Sequence, residues 1–99
     1  RSRWHLGIRS RSRPQDVMTE VFRAMKDLSF EWRCLTSYHV RCRFTQPNGL
    51  VMHMSLQLFA VDDQQYLLDF RNLAPDTGAH TLEFFDLCSK LIRELAITT

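Results

Sequence analysis

The sequence predicts an α+β domain with two layers, in which one antiparallel sheet of four to five strands carries two helices on one face. Five stretches alternate apolar and polar residues, the period of a half-buried strand. Two others repeat apolar residues at 3.6-residue spacing, the stripe of an amphipathic helix. Their order along the chain is β-α-β-β-β-β-α. Alternating strands have one apolar face, and we expect both helices to pack there, side by side.

The length and composition of the chain are those of one ordinary domain. The 99 residues are 44% hydrophobic, so residues 1–99 are expected to form a single domain with a real core. The chain begins with Arg1 rather than Met, and we interpret it as a fragment of a longer protein. Its three cysteines have no metal-ligand spacing, which favours reduced thiols in the cytoplasm or nucleus. No apolar run approaches the ~18 residues of a membrane span.

The first strand and the first helix follow each other directly. Trp4, Leu6 and Ile8 alternate, which predicts a strand over residues 4–9. Ser12 and Gln15 have the spacing of a capping box, and proline at position 14 is tolerated in a first helical turn. The helical stripe then comprises Val17, Met18, Val21, Phe22, Met25 and Leu28.

The remaining strands are predicted as a meander. Strands are expected over residues 31–35, over 38–44, along the alternating run from Met52 to Leu58, and along the run from Tyr66 to Phe70. The stretch Gln46-Pro47-Asn48-Gly49 is a strong turn signal, and Asp62-Asp63 marks the next turn. Such short connections favour antiparallel neighbours. A second helix is predicted over residues 81–95, with its apolar stripe at Phe84, Phe85, Cys88, Leu91, Ile92 and Leu95.

Motifs for catalysis, metal binding and nucleic-acid binding are missing from the sequence. There is no glycine-rich phosphate loop, and no cysteine or carboxylate completes a metal site with His39 and His53. Cys42 and Cys88 lie on apolar stripes, as small core residues do. RNA-binding sheets stack bases on exposed aromatic residues, whereas the aromatic residues of this sheet mostly alternate inward. We therefore expect no catalytic residue, no bound metal and no nucleic-acid partner.

The arginines are the one feature of the sequence that indicates a binding site. Residues 1–43 carry a net charge of +6 and residues 44–99 one of −4. Five arginines would converge beside the start of the first helix if the strands that carry them are close: Arg9, Arg11, Arg13, Arg41 and Arg43. Such a cluster would suit phosphate groups or acidic side chains. The alternative is a solvated rim with local ion pairs, and the sequence leaves both open.

Three long stretches carry a family resemblance. WHLGIRSRSRPQDVMTEVFRAM, MSLQLFAVDDQQYLLDFRNL and HTLEFFDLCSKLIREL follow one another in the chain. Together they resemble the C-terminal regulatory domain of the AMP-activated protein kinase catalytic (alpha) subunit, which is similar to kinase-associated domain 1. The family fold, a sheet with two helices on one face, agrees with the predicted order of elements. The long Ser/Thr-rich loop usual in the family is replaced here by residues 74–79, so that loop is expected to be shortened.

The resemblance implies a non-catalytic domain of an ATP-dependent Ser/Thr kinase whose catalytic domain lies elsewhere. Such domains bind the C-terminal region of the beta subunit and, through it, the gamma subunit. It further implies that adenine nucleotides bind gamma, that ATP and magnesium bind the kinase domain, and that this domain holds no cofactor. The heterotrimer would be cytoplasmic and would shuttle through the nucleus. The wider fold family suggests an alternative role, in which the five arginines bind acidic phospholipids.

Two further site predictions concern apolar residues. Trp4 is a candidate anchor for the partner subunit if it is not fully buried. The last helix has the leucine spacing of a nuclear export signal, and the C-terminus of the family looks like one. The candidate residues are Leu87, Leu91, Leu95 and Ile97. Core packing explains the same spacing, so both interpretations stay open.

Overall fold

The computed structural model of the chain describes residues 5–73 and 80–97, and it confirms the predicted fold class. Five strands form one antiparallel sheet that carries two helices. The elements are β1 (His5–Ser10), α1 (Pro14–Asp27), β2 (Glu31–Thr36), β3 (His39–Thr45), β4 (Val51–Asp62), β5 (Gln65–Asn72) and α2 (Thr81–Glu94). The shortened loop over residues 74–79 lies outside the described residues.

The strand order places β1 and β2 at opposite edges of the sheet. The order is β1-β5-β4-β3-β2, and every neighbouring pair is antiparallel. The meander predicted for β2 to β5 is therefore present, and β1 pairs with β5. The 14 residues of α1 make it about 21 Å long. Four inter-strand spacings measure about 19 Å, so α1 is long enough to carry the chain from one edge to the other.

One face of the sheet and the inner stripes of both helices form the core. Val40, Leu56, Leu68 and Phe70 are completely buried on the sheet, as alternation predicts. Helix α1 contributes Val17, Met18, Val21, Ala24 and Met25, and α2 contributes Phe84, Leu87, Cys88 and Leu91. Partly buried residues such as Phe22 and Phe44 pack around this cluster.

The start of α1 differs from the prediction. The helix begins at Pro14, its N-cap is Arg13, and no side chain forms a capping hydrogen bond. Ser12 precedes the cap, and its amide donates to the hydroxyl of Ser10 at 3.1 Å. The predicted capping box of Ser12 and Gln15 is therefore wrong, because the helix starts one residue later than that motif requires.

The end of α1 forms a Schellman motif. The amide of Phe30 donates to the carbonyl of Met25 at 2.8 Å, and the amide of Ser29 donates to that of Lys26 at 3.1 Å. This motif needs a left-handed residue after the helix, and Ser29 takes that conformation with a φ of 65°. A non-glycine residue pays for this conformation with steric strain.

Arg23 ties the two helices together. Its guanidinium contacts Glu20 at 2.9 Å and Asp27 at 2.8 Å on α1, and it donates to the main-chain carbonyl of Glu94 at the end of α2. Glu20 in turn accepts from the amide of Ala96 at 2.9 Å. The hydrogen bond from Arg23 and the one from Ala96 both lower the pKa of the Glu20 carboxyl. Arg23 is not part of the predicted apolar stripe of α1, and no pattern in the sequence indicated this contact.

Candidate docking face

Among residues 5–73 and 80–97, both helices pack on one face of the sheet and leave the second face open. The polar centre of this second face forms a row of side chains across the strands. The register pairs Arg33 of β2 with Arg41 of β3, Arg41 with Ser55 of β4, and Ser55 with Arg71 of β5. These residues share a face because each is opposite the next in an antiparallel pair. We call Arg33, Arg41 and Arg71 the arginine row; Ser55, 6% exposed, lies between Arg41 and Arg71.

The arginine row is poorly neutralised. Arg71 lies 3.8 Å from a carboxylate oxygen of Asp69, at the limit of an ion pair. Among the residues that the structure describes, neither Arg33 nor Arg41 contacts an acidic side chain. Like charges directly opposite each other in a sheet are destabilising. The pair formed by Arg33 and Arg41 is therefore not explained by stability of the fold.

Two shallow depressions flank this row and share Arg41. The larger, of about 470 Å³, is lined by residues of β2, β3 and β4 that include Glu31, Arg43 and His53. Arg43 already forms an ion pair with Glu31. The smaller, of about 340 Å³, brings Leu35 and Leu73 beside Arg41 and Arg71. The face can thus accept acidic groups at its centre and apolar groups beside them.

Exposed apolar side chains continue this face toward one end of the sheet. Leu35, Phe59 and Val61 are each 40–46% exposed. Phe59 and Val61 lie where β4 extends past β3 and pairs with β5 alone. Arginine and aromatic residues are enriched at protein interfaces, so the composition of this face suits a docking surface.

The predicted convergence of five arginines is wrong. Arg9 lies on β1 and Arg41 and Arg43 on β3, with β5 and β4 between them. Three strand spacings separate these strands by about 14 Å. The side chain of Arg9 donates to Gln65 at 3.3 Å, and Arg13 pairs with Asp16 at 3.2 Å. Arg11 is exposed in the connection to α1. The five arginines therefore form two separate groups, and anion binding by either group stays a prediction.

Sequence reasoning missed two members of the row. Arg33 and Arg71 alternate outward like Arg41, so their face was predictable from the period of their strands. The neighbours of Arg33 and Arg71 across the sheet were not predictable, because they depend on the order and register of four strands. The candidate anchor Trp4 lies outside the described residues.

The candidate export residues lie against the core. Leu87 is 3% exposed and Leu91 is completely buried. Leu95 and Ile97 are partly buried and pack on the same cluster. Packing therefore accounts for their spacing in the folded domain, and export stays a prediction that requires α2 to detach.

The cysteines have structural rather than reactive settings. Burial raises the pKa of the Cys42 thiol to about 12, with a further contribution from Cys88, and burial likewise raises the pKa of Cys88 to about 12. Thiols with such values hold almost no thiolate at neutral pH. Cys34 is exposed on β2.

The described residues contain no group of three side chains that could hold a metal ion. Neither described helix has the length and apolarity needed to cross a membrane. A sheet with one covered face and one open basic face is suited to binding a macromolecule. These features define the class of protein as an α+β domain whose sheet has one face packed against two helices and one basic face.

Comparison with known families agrees with this class. The chain belongs to the family described as the adenylate sensor of SNF1-like protein kinase, whose profile matches residues 3–80. This family membership confirms the resemblance found in the sequence. The matched family is a regulatory part of a kinase, in agreement with the prediction that this chain is not itself an enzyme.

Two relatives illustrate the relationship. The chain is 30% identical over 110 residues to the SNF1-related protein kinase catalytic subunit alpha KIN12 of Arabidopsis thaliana. The match covers 95% of this chain but only 22% of that relative. The fold is similar to that of the adenylate sensor from AMP-activated protein kinase, solved in complex with the ribonucleotide ZMP. The TM-score is 0.72, with 20% identity over 93% of this chain and 96% of the other.

Proposed function

We propose that this domain anchors a kinase alpha-type subunit in a heterotrimer, by binding the C-terminal region of a beta subunit and, through it, a gamma subunit. The observation that carries the proposal is the poorly neutralised arginine row on an open sheet face. Family membership supports it, because regulatory domains of kinases act through contacts within a kinase complex.

Ligand chemistry divides among the subunits in this proposal. The domain itself supplies docking contacts, while adenine nucleotides bind gamma and ATP with magnesium binds the kinase domain. The complex works in the cytoplasm and shuttles through the nucleus.

Co-expression tests the proposal directly. The 99-residue chain is produced with the beta C-terminal region and gamma, and the mixture is separated by gel filtration. We expect one co-eluting peak. A folded chain that elutes alone, apart from a beta–gamma peak, would refute the anchoring role.

The arginine row also favours a second candidate function, the binding of acidic phospholipids. Arg41 is the candidate residue with the strongest case, because no acidic side chain forms an ion pair with it among the described residues, whereas Arg43 is paired with Glu31. Co-sedimentation with vesicles of phosphatidylserine and phosphatidylcholine at low salt tests this role. Arg41→Glu should abolish binding, and the matched change Lys26→Glu, on the exposed side of α1, should not. Equal binding by both variants would exclude the row as a lipid site.

A further inference from the structure

Strand β2 forms an edge of the sheet. It is the last strand in the order, and all six of its residues are exposed. Among residues 5–73 and 80–97, no strand pairs with its outer side. Protein edges are commonly protected by proline, by charged side chains, by bulges or by a covering element. Strand β2 carries two charges, Glu31 and Arg33, and both lie on the outward face, so the Trp32 side of the edge is uncharged. Strand β2 has no proline, and its irregularity in pairing lies at its end, between Cys34 and Thr36.

The hydrogen-bond pattern shows which backbone groups face this edge. The amide of Leu58 donates to the carbonyl of Tyr38 at 2.9 Å, so the even-numbered residues of β3 bond to β4. Because bonding directions alternate along an antiparallel strand, the odd-numbered residues of β3 bond to β2. Arg33 is opposite Arg41 and therefore bonds inward to β3. Trp32 and Cys34 consequently direct their amides and carbonyls toward the open edge.

The side chains of β2 present two different surfaces to a neighbouring strand. On the outward face Arg33 lies beside Arg41 without an acidic partner among the described residues. On the helix side the Trp32 ring is 37% exposed and stacks on Phe22 of α1, with ring centres 5.8 Å apart. A strand added here would place alternate side chains next to Arg33 and next to Trp32.

We propose that β2 accepts a sixth strand, an extended segment of a partner subunit in which acidic residues alternate with apolar ones. The acidic residues face Arg33, and the apolar residues cover Trp32 and Phe22. Main-chain bonds to Trp32 and Cys34 supply affinity, as in other cases of strand addition. A second copy of this chain is the alternative occupant, but the register that sets Trp32 opposite Cys34 would place the two Arg33 side chains directly opposite each other, which is destabilising. This inference rests on the proposed anchoring function and assigns its surface.

Two pairs of variants test the backbone and the charge separately. Cys34→Pro removes an amide that faces the edge and leaves the β2–β3 bonds in place, which an edge strand tolerates. Its control is Cys34→Ala, which keeps the amide. Arg33→Glu reverses the charge, and Lys26→Glu makes the same change in charge on α1. Circular dichroism melting of each isolated variant shows whether the fold is intact.

The readout is affinity for the co-expressed beta C-terminal region with gamma. We expect Cys34→Pro and Arg33→Glu each to weaken binding by about tenfold or more, and both controls to bind like the wild type. Hydrogen exchange provides a readout that does not depend on variants. The amides of Trp32 and Cys34 should exchange fast in the isolated chain and become protected in the complex.

The outcomes separate this inference from the proposed function. Wild-type complex formation with unchanged affinity in both test variants, or with unprotected amides at Trp32 and Cys34, would overturn strand addition and leave anchoring intact. No complex with the wild type would overturn both. Self-association of the wild type that Cys34→Pro abolishes would overturn the partner strand in favour of a second copy.

Discussion

Truncation of a leucine in α2 tests how firmly this helix is held, and therefore whether its leucines can serve as an export signal. Leu91 is completely buried in the core, whereas Leu82 on the same helix is 81% exposed. Replacing a buried leucine with alanine costs about 2–5 kcal/mol. We therefore expect Leu91→Ala to lower the free energy of unfolding by that amount, and Leu82→Ala to change it by less than about 0.5 kcal/mol.

Urea unfolding followed by circular dichroism measures both variants, with an unchanged slope indicating that the unfolded state is the same. Detachment of α2 would expose Phe84, Leu87 and Leu91 together, which are 0–3% exposed in the fold. At about 1.5–3 kcal/mol each, their exposure costs about 5–9 kcal/mol, comparable to the entire stability of a domain. The amides of α2 should therefore exchange with solvent only through global unfolding. Two results would refute this reasoning. One is hydrogen exchange of the α2 amides through an opening whose free energy is below about 3 kcal/mol. The other is an equal loss in the free energy of unfolding in Leu91→Ala and Leu82→Ala.

Three further predictions concern a helix end, an ion pair and the thiols. Ser29→Gly should stabilise the domain by about 1 kcal/mol, measured by thermal unfolding, because glycine relieves the strain of the left-handed conformation; a lower melting temperature would contradict the strained Schellman end. Glu20 has a pKa lowered from its ordinary 4.5, so its pairing stabilises the fold above that pH and is lost as the pH falls through the folded value. Glu20→Gln should therefore be less stable than the wild type at pH 7, and urea titrations at decreasing pH should show the difference closing; a constant difference would exclude ionisation as its source. A maleimide should modify Cys34 quickly and the two buried thiols only in urea, as mass spectrometry would show; rapid labelling of all three would contradict their burial.

Much of the fold could be predicted from local patterns. Alternation located the five strands to within a few residues of their bounds, and the helical stripe placed α2 over residues 81–95 where the helix is Thr81–Glu94. These patterns succeed because a half-buried strand or helix must repeat its apolar residues at its own geometric period. The capping box at Ser12 failed because the helix begins at Pro14 with Arg13 at its N-cap and no side-chain cap, which the spacing of Ser12 and Gln15 does not reveal.

The candidate site was less predictable. The sequence identified Arg41 and Arg43 as outward-facing, but it grouped them with Arg9, three strands away. The actual neighbours of Arg41 are Arg33 and, across Ser55, Arg71. No periodicity within one strand contains that information.

The fold class, the inward and outward faces and the lack of catalytic motifs thus follow from residue type and spacing along the chain. Which charged side chains become neighbours, and which edge strand stays unpaired among the described residues, follow from the strand order. Pairing β1 with β5 leaves the outer side of β2 without a partner among the described strands, and the register aligns the arginine row. Strand order and register depend on contacts between residues far apart in the chain, so they are settled when the whole sheet packs against α1 and α2.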